Sequence, residues 1–155
     1  MRYEDERTEE IFRDAMERHA KRQEHARRNV WEVTPVRRWV AHGLTCYLVA
    51  TPMCLNGYVS VPVEHPFYGF HYNECPRGCD KDYCEHAAEA VIEVHGGITF
   101  SHLGPDGWIF GFDTCHFGDL MITPVSIHEG RLWEENDVAE ETARMAQQLA
   151  GVWAV

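Results

Sequence analysis

The chain has 155 residues, of which 45% are hydrophobic and 25% are charged, a composition typical of one globular domain with its own core. No apolar run reaches the ~18 residues of a membrane helix, and the charged N-terminus lacks the apolar segment of a secretion signal. We therefore expect a cytoplasmic protein without a membrane partner. Residues 39–155 hold four of the 14 basic but 16 of the 25 acidic residues, so their net charge of −12 disfavours nucleic-acid binding by this part.

The first 29 residues differ in composition from the rest of the chain. They are rich in Glu, Arg and Ala and contain neither Gly nor Pro, which predicts a long helix. Its few apolar residues, such as Ile11, Phe12 and Met16, form only a narrow stripe, so we expect the helix to be peripheral. It can lie in solvent or contact a second copy of the chain or another protein. We divide the chain into a charged N-terminal helix, 1–29, and a single α+β domain, 30–155.

Alternating β-prone runs predict the sheet of this domain. Two hairpins are expected, with strands at 44–50 and 54–61 and at 98–102 and 108–112. Residues 30–40 form an entry segment or an edge strand, and residues 120–125 form a last strand or an extended run. Residues 87–94 form a short helix or a strand, and the apolar residues from 91 to 94 favour the strand. A helix is predicted over 136–152, where apolar or small residues recur at a spacing of four and three: Val138, Thr142, Met145, Leu149 and Val152.

The predicted fold is α+β, a small antiparallel sheet with the C-terminal helix packed on it and the long N-terminal helix at its periphery. Cys46 and Cys54 belong to the two strands of the first hairpin, and we expect them to lie opposite each other. In a reducing compartment they should be buried thiols, whereas oxidation would allow a disulfide between them.

A Cys/His-rich loop over 71–86 offers ligands for a metal ion. The candidate ligands are His71, Cys75, Cys79, Cys84 and His86. Thiolate and imidazole ligands in sets of four are typical of tetrahedral zinc, and a site closed by four protein ligands is structural. The spacing differs from that of paired C-x2-C motifs, so a polar loop without metal, or a disulfide within the loop, stays open as an alternative.

Polar residues that can bind a metal, share a proton or hold a ligand cluster between His95 and Asp119. His95 precedes the second hairpin and Asp113 follows it, so antiparallel pairing brings both to the open end of the hairpin. His116 and Asp119 come shortly after. We predict that these four residues converge, and we name them as the candidate catalytic residues. Each can instead be a turn former or a cap without further role.

Aromatic and Gly residues near this cluster predict a ligand pocket. The stretch after the second strand is rich in aromatics and Pro, as ordered loops that line sites often are. The Gly backbone beside His95 can hydrogen-bond an anion, and aromatic rings can stack on a ligand. The candidate ligand-binding residues are His65, Tyr68, Gly96, Gly97, Trp108 and Phe112.

Two pieces of the chain have a recognisable pattern: HGGITF from His95 to Phe100, and DGWIFGFDTCHFGD from Asp106 to Asp119. They resemble a family of small uncharacterised proteins encoded by bacteriophages and prophages. Members of that family have a His-Gly-Gly-[Leu/Ile]-Thr-[Tyr/Phe] piece followed by Trp-x-Phe-Gly-Phe-Asp-x-x-His-x-Gly-Asp. This chain departs from the pattern before His116, where it has Thr-Cys and the family often has Cys-Ala. The resemblance implies a phage or prophage origin and brings no activity with it.

Three functions are compatible with these features. The preferred hypothesis is a phage accessory protein that binds a small polar or nucleotide-like ligand at the His/Asp/aromatic rim, for instance to sequester a host signal. One alternative is a hydrolase in which His95, Asp113, His116 and Asp119 hold a metal ion that activates water, or in which His95 and Asp113 act as acid and base without metal. The other is a module that binds a host protein through the N-terminal helix and the acidic domain.

Overall fold

A computed structural model describes residues 35–79, 84–123 and 125–153, together with four single residues nearer the N-terminus at positions 10, 13, 14 and 17. The strands are β1 (Arg37–Ala41), β2 (Leu44–Ala50), β3 (Leu55–Val61), β4 (Phe100–Leu103), β5 (Trp108–Phe112), β6 (Met121–Ile122) and β7 (Ile127–His128). The helices of the domain are α1 (Ala88–Val91) and α2 (Glu135–Trp153).

The helix expected over 1–29 lies outside the described residues, apart from those four single positions. It stays a prediction, as does a host-protein contact made through it. In the described part of the chain, no helix has both the length and the apolar character that crossing a bilayer requires.

Five strands form one antiparallel sheet in the order β1-β2-β3-β5-β4. The α+β prediction and both predicted hairpins are confirmed, although β4 begins at Phe100 rather than at Ile98. Because side chains alternate along a strand, every second residue of β2, from Leu44 through Cys46 and Leu48, is buried on the same face. This face is the one that the C-terminal helix covers.

The predicted opposition of Cys46 and Cys54 is wrong. Cys46 faces Val59 in the register of β2 and β3. Cys54 belongs to the turn between these strands, where its carbonyl oxygen accepts a hydrogen bond of 2.8 Å from the N–H of Thr51. A residue that closes the turn has no partner across the ladder, so the pairing starts only at Leu55.

The apolar stripe of α2 forms one side of the core. Val138, Thr142, Met145 and Leu149 are all buried, as their spacing predicted, whereas Val152 is half-buried. The helix can approach the sheet closely because residue 57 is Gly: a Cβ there would collide with the Thr142 hydroxyl and the Phe112 ring. Burial of each large apolar side chain in such a core stabilises the fold by about 1.5–3 kcal/mol.

The strand that residues 91–94 favoured is not formed. Helix α1 ends at Val91, and the next residues are irregular. Ile92 and Val94 are buried in the core, so their apolar character reflects packing and not a position in the sheet. The carbonyl oxygen of Val94 accepts the N–H of Gly97 at 2.8 Å, which closes the turn that carries His95.

Candidate functional site

The open end of the β4–β5 hairpin brings together His95, Asp113, His116 and Asp119. They form two side-chain pairs, with His95 Nε2 2.8 Å from Asp119 Oδ2 and His116 Nε2 3.1 Å from Asp113 Oδ1. The two imidazole rings lie edge to face with their centroids 5.5 Å apart. The partner of His95 is therefore Asp119 and not Asp113, which corrects the acid/base pair expected from the sequence.

Asp119 is the buried centre of this cluster, with 2% of its surface exposed. Its Oδ2 accepts hydrogen bonds from His95 Nε2 at 2.8 Å and from the backbone N–H of His116 at 2.9 Å, and its Oδ1 accepts the indole N–H of Trp133 at 2.9 Å. Burial raises the pKa of Asp119, but these hydrogen bonds outweigh it and hold the pKa below its ordinary value. Asp119 is thus a carboxylate, and a neutral His95 donates from Nε2 and keeps Nδ1 as an acceptor.

Backbone pairing brings a second segment against Asp119. The carbonyl oxygen of Gly118 accepts the N–H of Arg131 at 2.7 Å, and the N–H of Leu120 donates to the carbonyl oxygen of Arg131 at 2.8 Å. This parallel bridge places Trp133 beside the cluster. No sequence motif predicted it, because the contact depends on which segments pair after the chain has folded.

Ring contacts link Arg131, Trp133 and His95. The ring centroids of Trp133 and His95 lie 4.4 Å apart, and the guanidinium carbon of Arg131 lies 3.7 Å from the centroid of the Trp133 ring. From the other side, the backbone N–H of His95 donates to Glu141 of α2 at 2.9 Å. Arg144 in turn holds Glu141 with a hydrogen bond of 2.6 Å. The position of His95 is therefore set by three separate segments of the chain.

The second pair, His116 and Asp113, is less tightly bonded. Asp113 Oδ1 accepts the N–H of Cys115 at 3.0 Å, and its Oδ2 accepts the hydroxyl of Thr99 at 2.9 Å. His116 Nε2 is buried and has no aligned hydrogen bond within the described part of the chain, although Asp113 Oδ1 is 3.1 Å away. His116 Nε2 and Asp113 Oδ1 are thus close without an aligned hydrogen bond, and this nitrogen can take another partner.

Gly96 and Gly97 both adopt left-handed backbone conformations, with φ of 67° and 79°. A Cβ at Gly96 would overlap the imidazole of His116, whereas a Cβ at Gly97 would meet no atom within 4 Å. The N–H of Gly97 already donates to the carbonyl oxygen of Val94. Gly96 therefore serves the packing of His116, and the N–H of Gly97 is not free to bind the anion expected from the sequence.

Two further residues of the predicted ligand set are buried in the structure. His65 is 3% exposed, and both of its nitrogens are used: Nε2 donates to the carbonyl oxygen of Leu149 at 2.8 Å and Nδ1 accepts the N–H of Phe67 at 3.0 Å. Burial lowers the pKa of His65, partly offset by the bond to Leu149. Phe112 lies in the core beneath α2. Both residues stabilise the fold and face no open rim.

Tyr68 and Trp108 contact each other at the opposite end of β5. Their ring centroids are 6.2 Å apart, and the ring of His71 lies 5.6 Å from that of Trp108. Since Trp108 begins β5 and Phe112 ends it, Trp108 is separated from the histidine cluster by about 13 Å of strand. The predicted ligand set is therefore divided between two places.

The Cys/His-rich loop holds a group of four possible metal ligands. The ligand atoms of Cys75, Cys79, Cys84 and His86 all lie within 4.8 Å of one another, so these residues could hold a metal ion. His86 Nδ1 lies 3.5 Å from the sulfurs of both Cys79 and Cys84. His71 is outside the group, and its Nε2 lies 3.7 Å from a carboxylate oxygen of Glu74 at the surface.

The three thiols of this group influence one another strongly. A hydrogen bond from Cys84 lowers the pKa of Cys75 to about 6, and the hydrogen bond with Cys75 raises the pKa of Cys79 to about 11. Cys75 thus ionises readily, and its negative charge keeps the proton on Cys79. A bound metal ion would offset the repulsion between thiolates at Cys75 and Cys79.

A disulfide joins Cys54 to Cys115, with their Cα atoms 6.2 Å apart and a separation of 61 positions in sequence. It ties the β2–β3 turn to the loop that carries the histidine cluster. The expectation that Cys54 is a free thiol is therefore wrong, whereas Cys46 is a buried free thiol, as expected. Burial raises the pKa of Cys46 to about 11, so this thiol stays protonated.

Comparison of the chain with known protein families, with curated proteins and with solved structures found no match. The function is therefore argued from the geometry of the sites.

Proposed function

We propose that the protein binds a small polar ligand of the nucleotide class at the surface formed by His95, His116 and Arg131. The arrangement of His95 carries this proposal. A buried carboxylate, Asp119, holds its Nε2, and Trp133 packs against its ring at an angle of 44°, so the side chain is fixed before any ligand arrives. Groups that are fixed in advance bind a ligand without a further loss of side-chain entropy.

Charge supports an anionic group on the ligand. Arg131 is one of four basic residues in 39–155. Its side chain is 58% exposed and forms a loose ion pair of 3.9 Å with Asp137, so an anionic ligand would reach the guanidinium in competition with that carboxylate. Paired guanidinium N–H groups match the oxygens of a phosphate. A ligand with both a phosphate for Arg131 and a hydroxyl or N–H donor for His95 Nδ1 satisfies both sides of the surface.

An exposed aromatic residue supports the other part of a nucleotide. Phe117 lies between His116 and Gly118 in the loop of the histidine cluster, and its side chain is fully exposed. A large apolar ring in open solvent beside a polar site is suited to stacking on a base. If the chain has the phage origin expected from its sequence, the protein would be a phage accessory protein that sequesters a nucleotide signal in the cytosol of the host.

Zinc is the metal we propose for Cys75, Cys79, Cys84 and His86. Thiolates with one imidazole favour zinc over hard cations such as magnesium or calcium. Four protein ligands would leave no open position, so the ion would be structural and would hold the 71–86 loop in place.

Calorimetric titration of the full, zinc-supplemented chain with each nucleoside 5′-monophosphate tests the proposed ligand class. We expect one of them to bind, and Arg131→Ala to weaken its binding at least tenfold. Arg37→Ala is the matched control, because the guanidinium of Arg37 likewise stacks on a Trp ring, that of Trp39 at 4.9 Å, on strand β1. Wild-type protein that binds none of these nucleotides, or equal weakening in both variants, would contradict the proposal.

A second candidate function is hydrolysis of the bound ligand without metal. The pair of His95 with buried Asp119 favours it, because a carboxylate that orients an imidazole prepares it to act as a general base. The metal-dependent version has less support. Within the described ranges, the groups of at least three close metal ligands include Asp113 but none of His95, His116 and Asp119.

Phosphorus NMR of the nucleotide after prolonged incubation separates the two functions. A hydrolase releases phosphate, and His95→Ala abolishes that release even when the nucleotide is saturating. A binding protein leaves the nucleotide intact, and His95→Ala changes only the affinity. Release of phosphate at the same rate by His95→Ala would show that His95 is not the base.

A further inference from the structure

A second cluster of possible metal ligands includes the two sulfurs of the Cys54–Cys115 disulfide. The two sulfurs and a carboxylate oxygen of Asp113 all lie within 4.8 Å of one another. Cys54 is buried in the β2–β3 turn, and Cys115 follows β5. While the disulfide is intact, its sulfurs have no thiolate charge with which to bind a cation. Reduction would therefore create a group of two thiols and one carboxylate already gathered in one place.

We propose that Cys54, Cys115 and Asp113 form a redox-gated site for a thiophilic divalent cation. A dithiol reductant breaks the S–S bond by giving two electrons and two protons, and it becomes a disulfide itself while the chain gains two thiols. The cation then displaces the two thiol protons and is held by two thiolates and the carboxylate. Oxidation reverses the sequence: the cation leaves, and the sulfurs bond to each other again.

The surroundings of Asp113 suit a metal ligand. The Thr99 hydroxyl donates to Asp113 Oδ2 at 2.9 Å, and the backbone N–H of Cys115 donates to Oδ1 at 3.0 Å. Hydrogen bonds of this kind orient ligating carboxylates and are a regular part of metal sites. Two thiolates and a carboxylate are also ligands that zinc accepts.

A nitrogen without an aligned hydrogen bond lies next to this group. His116 Nε2 is buried, has no hydrogen-bond partner in the ranges that the structure describes, and is 3.1 Å from Asp113 Oδ1. Three protein ligands leave a fourth position on a tetrahedral ion. His116 can bond to a water in that position, so the cation would give this nitrogen the partner that it lacks.

The cellular redox state would decide which form is present. Disulfides in a reducing cytosol are short-lived, and those that form there are usually redox-sensing or catalytic. The reduced form of this protein would bind the cation in that compartment, and an oxidant would release it. Because Asp113 also contacts His116, the redox state would reach the surface proposed above, but the metal site itself does not depend on the nucleotide.

Native mass spectrometry of the full chain with zinc as the probe tests this inference. One sample is reduced with a dithiol and one is oxidised with glutathione disulfide, and both are then equilibrated with zinc. We expect the reduced chain to carry about one zinc more than the oxidised chain, and to be heavier by the two hydrogens of the thiols once the zinc has been removed. Cys115→Ser should remove that extra zinc, and Asp113→Asn should weaken its binding at least tenfold. Cys46→Ala, which removes a buried thiol elsewhere in the sheet, should keep it.

The difference between the two redox states decides the outcome. Because the oxidant can also oxidise the thiols of Cys75, Cys79 and Cys84 and release their zinc, wild type and Cys115→Ser are compared in each redox state, and only the zinc that is lost with Cys115→Ser is assigned to this site. Equal zinc in the two states, or an extra zinc retained by Cys115→Ser, would overturn the inference. If Cys115→Ser does not fold, the Asp113→Asn variant, which leaves both thiols in place, carries the same test.

Discussion

Replacement of Asp119 with Asn tests the buried centre of the histidine cluster. Asn has the same shape but a single acceptor oxygen, and the carboxylate receives three hydrogen bonds on two oxygens. In either orientation, the new amide group faces at least one donor: the indole of Trp133, or the backbone N–H of His116 together with His95. The variant therefore leaves a buried donor without an acceptor and removes the charge that strengthens the remaining bonds.

The expected loss of unfolding free energy for Asp119→Asn follows from these contacts. A stranded buried donor costs about 1–3 kcal/mol, and the weakening of charge-assisted bonds adds to it, so we expect a total of about 2–4 kcal/mol at pH 7. For a chain of this size this lowers the melting temperature by roughly 4–16 °C. The measurement is urea unfolding followed by fluorescence, with calorimetry for the melting temperature.

The effect of Asp119→Asn on the free energy of unfolding should depend on pH. The pKa of Asp119 is lower in the folded protein than in the unfolded chain, where it is near ~3.9. The stability that its charge contributes is therefore fully present above that value and is lost as the pH falls through the folded pKa. We expect the gap between wild type and Asp119→Asn to be largest at neutral pH and to shrink in acid.

Asp106→Asn is the control for Asp119→Asn, because Asp106 is an exposed carboxylate that contacts Arg38 and Tyr47. An exposed pair of this kind contributes about 0–1 kcal/mol, so this variant should unfold almost like wild type. If Asp119→Asn unfolds within ~0.5 kcal/mol of wild type at pH 7, or if the gap persists unchanged in acid, the role given to Asp119 is wrong.

Three further predictions test other parts of the structure. Gly96→Ala and Gly97→Ala should each lower the free energy of unfolding by about 1–2 kcal/mol, because both positions have a left-handed backbone. Only Gly96→Ala should also displace the imidazole of His116, which NMR of the histidine protons would detect. Equal chemical-shift changes in both variants would refute this. Cys79→Ser should lose the structural metal ion and melt at a lower temperature, and elemental analysis that finds equal zinc in variant and wild type would contradict it. Because burial lowers the pKa of His65, wild type should lose stability as the pH falls below ~6.5, and His65→Gln should lose less over that range in urea unfolding; identical pH profiles would refute the role of this buried imidazole.

Local patterns predicted the framework of the candidate site well. The β5 strand, the second hairpin and the buried stripe of α2 are periodic features, and periodicity depends only on neighbours along the chain. The convergence of His95 and Asp113 followed from the same reasoning, since a hairpin must bring its two ends together. The Cys/His-rich loop was also visible, because its four possible metal ligands lie close in sequence.

Local sequence patterns could not predict which side chains pair with each other within the site. Whether His95 faces Asp113 or Asp119 depends on how the loop after β5 folds back, and both carboxylates are within reach of the same hairpin end. Trp133 and Arg131 reach the cluster through a backbone bridge between separate segments. Their role has no signature in the local pattern, since a Trp in a loop has the same appearance whether or not it stacks on a His.

Some features of this protein follow from its sequence alone, whereas others depend on which residues the tertiary structure buries and brings together. The sequence alone determined the α+β class, the C-terminal helix and the places where polar and thiol groups concentrate, because these depend on spacing along the chain. The tertiary structure decided that His65 is a core residue and that Cys54 bonds to Cys115. Both outcomes follow from contacts between residues far apart in sequence, whose formation depends on the packing of the whole domain.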